Sequence, residues 1–158
     1  MCYFRHSPLI MKHERVPPDQ CFVGYKYLWC RETGALRGEL RSPHFLNNVT
    51  QWVPEEPARA NGKPDTRTGQ GIYAYARKPK KYHGYVIAKV HLWGVVLEFA
   101  KSPWSMREPG FMAEWAEIQE LTLPAFVASE FGDKLVERWS GHGVKITTAS
   151  RRVLLKAA

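Results

Sequence analysis

Hydrophobic and polar positions alternate most cleanly in "YVIAKVHLW", residues 85–93. Val86, Ala88, Val90 and Leu92 fall on one face, and Lys89, His91 and Trp93 on the other. That two-residue period predicts a half-buried strand. Gly94 permits a bend or bulge, after which "VVLEFA" continues the sheet. Three other stretches carry strand signals: the aromatic-rich "CFVGYKYLWC" (21–30), the short "GIYAYA" (71–76) and "FMAEWAEIQEL" (111–121). In the last, strict alternation puts Met112, Glu114, Ala116 and Ile118 on one face and Phe111, Ala113, Trp115 and Glu117 on the other. "ALRGEL" (35–40) reads as a return strand after the turn Arg31-Glu32-Thr33-Gly34.

From Pro124 the period changes. Phe126, Val127, Phe131, Leu135, Val136 and Trp139 recur at helical spacing, and proline suits a first turn. A glycine turn and a short strand, "VKITTA", follow. Residues 41–70 hold four prolines and no clear period, which predicts a long loop. The whole pattern predicts a single α+β domain, mainly antiparallel sheet with one late helix. Its boundaries are an irregular N-terminal arm (1–20), the domain (21–148) and a basic C-terminal tail (149–158).

Composition narrows the class. The chain has 158 residues, 44% of them apolar, enough for a core in one domain. No run of about 18 apolar residues predicts a membrane helix. The opening residues lack the long apolar core of a secretion signal. Cys2, Cys21 and Cys30 are too few and too unevenly spaced for a disulfide framework, so a reducing, cytoplasmic setting is expected. The same spacing argues against zinc, and no metal is expected. A net charge of +8 favours anionic partners or serves solubility alone.

The densest chemistry lies in "TGQGIYAYARKPKKYHGYVIAKVHLWG" (68–94). Its Gly-x-Gly precedes a strand, whereas the dinucleotide fingerprint has its strand before the glycines and a helix after them. A Walker loop fails as well, because no Gly-Lys-Ser/Thr follows. Arg77, Lys78, Lys80 and Lys81 form a basic run with Tyr75, Tyr82 and Tyr85 close by. Such groups neutralise phosphates while rings stack on bases, or they are a solvated turn. Cys30 with His83 or His91 has no thiol-protease signature around it.

The order of these segments resembles the poly(ADP-ribose) polymerases and their relatives. "YLWC" (27–30) stands where that family has a strand ending in Trp-His-Gly, "GQGIYAYA" (69–76) resembles its Gly-x-Gly-Ile-Tyr, Tyr82 falls near its helix-end Tyr, and "VIAKVHLWG" (86–94) is similar to its following strand. The resemblance covers residues 27–98. It implies an ADP-ribosyltransferase-like fold, with one sheet or a split sheet, holding NAD or a related nucleotide. Gly71, Tyr73 and Tyr82 would line the nucleotide, with Tyr73 stacked on nicotinamide, or Tyr73 is ordinary strand packing. Cys30 replaces the family's His, which implies reduced catalysis, and Arg31 is the substitute candidate or an exposed turn residue. The family's Glu stabilises the cation left as nicotinamide departs. Glu114 is the first candidate for that role, or a structural ion pair, and Glu117 is the second. "LWGVVLEFA…GFMAEWAEIQEL" also resembles small uncharacterised bacterial and phage proteins, which implies a mobile-element origin. The rival expectation is a non-enzymatic protein that binds nucleic acid or a nucleoprotein complex through the basic run.

Overall fold

The computed structural model describes residues 10–30, 38–42, 51–100 and 108–149. In chain order these form β1 (Ile10–Val16), β2 (Phe22–Leu28), β3 (Leu40–Arg41), β4 (Gln51–Trp52), β5 (Ala58–Arg59), β6 (Ile72–Tyr75), β7 (Val86–Phe99), β8 (Gly110–Leu123), α1 (Ala125–Trp139) and β9 (Lys145–Thr148). The result is a mainly antiparallel α+β domain with one α-helix among the described residues, as the pattern predicts. The β8–β9 pairing is parallel.

The frame is the β7–β8 hairpin, two strands of 14 residues each. Along the other edge of β7 lie β1 and β2, end to end: β1 against Phe99–Gly94 and β2 against Leu92–Val86. Along the other edge of β8 lie β6, β5 and β9. β2 also meets β6 at Tyr25 and Tyr75, so β7, β2, β6 and β8 close a ring. Val86, Ala88, Val90 and Leu92 face its interior and are fully buried, as their alternation predicts. Leu28, Ala74 and Leu121 join them, together with Leu135 and Trp139 of α1 and Leu40 and Trp52 of the β3–β4 ribbon. Each large apolar side chain so buried contributes roughly 1.5–3 kcal/mol before entropy is counted.

The hairpin carries two bulges. Trp93 pairs with Trp115 but Val96 with Ala113, so Gly94–Val95 put an extra residue into β7. Lys89 pairs with Glu120 but Val90 with Ile118, so Gln119 is extra in β8. The strict alternation expected for 111–118 therefore fails. Phe111 and Ala113 enter the same core as Ala116 and Ile118, and Leu121 and Leu123 resume it beyond the second bulge. Met112 instead packs with Leu97 and Phe99 in a second cluster. A one-residue change of register reverses which face a side chain takes, and each bulge makes such a change here.

Two further expectations are corrected. Residues 10–16 of the supposed irregular arm form β1, whose Ile10 packs on the second cluster. The stretch 41–70 is not one long loop. β4 pairs β3, β5 pairs β8, and Asp65 bridges Gln70. β5 and β6 are two parts of one edge, since Ala60 N–H donates to Glu114 O just before Ile72 takes up pairing at Ala113.

The β2–β6 seam is the thinnest part of the ring, with Tyr25–Tyr75 as its backbone pair. Lys26, 5% exposed, reinforces it: its Nζ donates to Tyr73 O at 2.8 Å. Burial lowers the Lys26 pKa to about 8.

Candidate functional site

The ring's interior is filled with apolar side chains, so chemistry open to a partner lies on its outer face. β2 presents Tyr25 and Tyr27 there because Gly24, Lys26 and Leu28 turn inward. β6 presents Tyr73 and Tyr75 by the same rule, with Ile72 and Ala74 inward. Closing the sheet at the β2–β6 seam brings these rings together.

A path of aromatic contacts results. Trp29 stacks on Tyr85 at 5.9 Å between centroids and an 11° interplanar angle. Tyr85 lies 5.4 Å from Tyr27, and Tyr27 lies 5.9 Å from Tyr75 across the seam. Tyr75 lies 5.3 Å from Tyr73, and Tyr73 stacks on Phe99 at 6.0 Å. The five rings before Phe99 are half-buried, while Phe99 itself is buried. Burial raises the pKa of Tyr27 and Tyr75, with smaller contributions from Tyr75 and Glu108 respectively, so both hydroxyls are protonated at neutral pH.

The basic run borders this path. Tyr27 Oη donates to Lys81 O at 2.5 Å, and the His83 ring leans on Tyr27 at 6.1 Å. His83 and Gly84 both have positive φ, +50° and +80°, and Tyr85 N–H donates to Tyr82 O. Positive φ at both central positions marks a tight primed turn. The loop is thus pinned beside the rings. Arg77, Lys80 and Lys81 are exposed and make no ion pair among the described residues. Lys78 differs: its Nζ donates to Thr122 Oγ1 at 3.0 Å, which ties it to β8. At the other end of the path, Arg41 is exposed and bridges Trp29 through two backbone hydrogen bonds.

The residues expected to hold a nucleotide have separate surroundings. Cys30 is 1% exposed in the main core, and burial pushes its thiol up to about 11, so it is a protonated packing group. Arg31 lies outside the described residues. Gly71 is buried against Pro64 with φ +129°, a turn position. Tyr73 belongs to the ring path. Tyr82 is half-buried in the pinned loop and has no ring contact among the described residues.

Glu114 is engaged by the hairpin bulge. Its Oε1 accepts from Val95 N–H at 3.2 Å, and its Oε2 lies 3.9 Å from Arg59 Nη2. Arg59 in turn sits over the Trp115 ring, which stacks on Trp93. The "LWG…AE" texture is therefore a built bulge: Gly94 supplies the backbone and Glu114 fills the space beside it. Glu117 is exposed and pairs across the hairpin with His91, whose pKa is lowered by burial and by Lys89. It lines a depression of about 20 Å³ with Trp52, Trp139 and His142, room for about one water. No group of three metal-ligating side chains is found among the described residues, and no described helix is long and apolar enough to cross a membrane.

Tyr75 and Tyr85 stand out in the sequence because they flank the basic run, whereas nothing local links Tyr27 and Trp29 with them or marks Lys26. The contributing strands are far apart in sequence, and the signal for their meeting was only the outward phase of aromatic positions on two strands. Comparison with protein-family models, curated proteins and solved structures finds no match to the chain.

Proposed function

We propose that this protein binds nucleic acid on the outer face of its sheet, with the pinned basic loop contacting phosphates and the adjoining rings contacting bases. The observation that carries this reading is the juxtaposition of Arg77, Lys80 and Lys81 with the path from Trp29 to Tyr73. Basic groups beside half-buried aromatic rings match the two things every nucleic acid offers, phosphate charge and base faces. The net charge of +8 agrees in sign. The ADP-ribosyltransferase-like reading draws on the order of motifs alone. The separate surroundings of Cys30, Tyr73 and Glu114 add nothing to it.

The test is a salt titration of oligonucleotide binding. Each neutralised phosphate contributes about 0.7–0.9 to the slope of log K against log salt. Replacing Arg77, Lys80 and Lys81 by Ala is expected to flatten that slope by about 2–3. The thermal midpoint stays nearly unchanged, because exposed charges contribute little to folding. Binding indifferent to salt, or a triple variant that keeps the parent slope, would rule the loop out as the phosphate contact.

A further inference from the structure

We infer that the ring path takes an extended single strand with its bases pulled apart, in preference to a duplex or a self-stacked strand. This rests on the nucleic-acid reading above and narrows it to a substrate class. Neighbouring rings on the path are 5.3–6.0 Å apart. Nucleotides in a stacked strand advance only about 3.4 Å per step. Seating one base per ring therefore needs a strand stretched well beyond stacked spacing.

The ring planes impose a second condition. Tyr27 stands at 50° to Tyr85 and at 80° to Tyr75, and Tyr75 stands at 83° to Tyr73. Bases in a helix lie parallel, so bases seated on these successive rings are turned steeply from one another. Only a strand free of a complement adopts that arrangement without breaking pairs. The outer face of a closed sheet is also convex, whereas reading a duplex needs an element that enters a groove.

Charge sets the path's direction of preference. Arg41 lies beside Trp29 and Lys81 is held at Tyr27, while the Glu108 charge acts on Tyr75 farther along the path. The backbone phosphates are best accommodated between Trp29 and Tyr27. Aromatic platforms discriminate by stacking strength and backbone flexibility more than by hydrogen-bond readout, so selectivity follows the ease of unstacking. Pyrimidine runs, which stack weakly on themselves, are favoured over adenine runs.

The experiment is fluorescence anisotropy at one low salt concentration. The probes are labelled oligo(dT), oligo(dA) and a duplex of equal length, about 12 nucleotides, within the span of known single-strand sites. Oligo(dT) is expected to bind roughly tenfold tighter than either of the others. Trp29→Leu and Tyr27→Leu, each checked for an intact melting transition, should lower oligo(dT) affinity at least about fivefold. Neither should change the affinity for duplex. A second readout, quenching of tryptophan emission by oligo(dT), should diminish in Trp29→Phe. Equal affinity for all three probes, unaffected by both leucine variants, overturns the stacking inference while leaving the phosphate-binding reading intact. Failure of every probe to bind overturns both.

Discussion

Tyr27→Phe removes one oxygen and leaves the ring, so it separates the two things Tyr27 does. The hydroxyl holds Lys81 O, and the ring touches Tyr75, His83 and Tyr85. Because this hydrogen bond is exposed, its loss is expected to cost about 0.5–1 kcal/mol. The Tyr85 amide, which closes the neighbouring turn, should exchange with solvent faster than in the parent. Unchanged exchange there would show that the hydroxyl does not pin the loop. At this scale the sequence was a partial guide. Residue type marked Arg77, Lys80 and Lys81 as solvent-facing, and they are. It could not place Cys30, because a cysteine reads alike as ligand, nucleophile or core filler until its neighbours are known. Here those neighbours are apolar, and burial keeps the thiol protonated at neutral pH.

At the scale of elements, the β7–β8 hairpin depends on its Gly94 bulge. Gly94 has φ +79°, and an added Cβ would come within 2.6 Å of Glu114 Oε1. Gly94→Ala is expected to destabilise the chain by roughly 1–3 kcal/mol, combining left-handed strain with displacement of Glu114. Glu114→Gln keeps an acceptor for Val95 N–H and should cost less than Gly94→Ala in the same urea titration. The reverse order would mean that the Glu114 charge, held near Arg59, matters more than the backbone bend. Period-two alternation found β7 correctly because its inward set stays in phase through residues 86–92. It mis-phased β8 because a bulge is a property of two paired strands. An extra residue in one cannot be counted without knowing which residues of the other it faces.

For the whole molecule, two buried groups and a half-buried tyrosine pair shape stability against pH. Lys26 has a lowered pKa, so between about 8 and 10.5 the folded chain has shed a proton that the unfolded chain keeps. Over that window stability rises with pH, by about 1.4 kcal/mol per unit. Cys30 is raised, so between 9.0 and about 11 the unfolded chain has lost a proton that the folded chain keeps, and stability falls at the same rate. Tyr27 and Tyr75, raised above 10.0, add to the fall beyond that point. The expected profile climbs from pH 8 to 9, stays level to about 10 and then declines. Urea unfolding across this range checks it. Lys26→Met should erase the climb and leave a decline that starts near pH 9. A climb that persists in Lys26→Met would show that another group causes it.

By itself the sequence determined the class of fold and the positions of its long elements. Apolar periodicity of two along residues 86–92 and of nearly four from Val127 to Trp139 is local, and burial of one face follows from it whatever the topology, although Phe126 at the helix start stays exposed. It also determined that the loop from Arg77 to Lys81 is basic and that aromatic residues crowd around it. Only the tertiary structure decided that β2 closes on β6, that β1 and β2 share one edge of β7, and that β9 runs parallel to β8. Those pairings join segments tens of residues apart, and backbone hydrogen bonds carry little residue identity with which to choose a partner. The continuous ring path is a consequence of that closure. Tyr27 and Tyr75 are 5.9 Å apart because Lys26 and one backbone pair hold the seam between their strands.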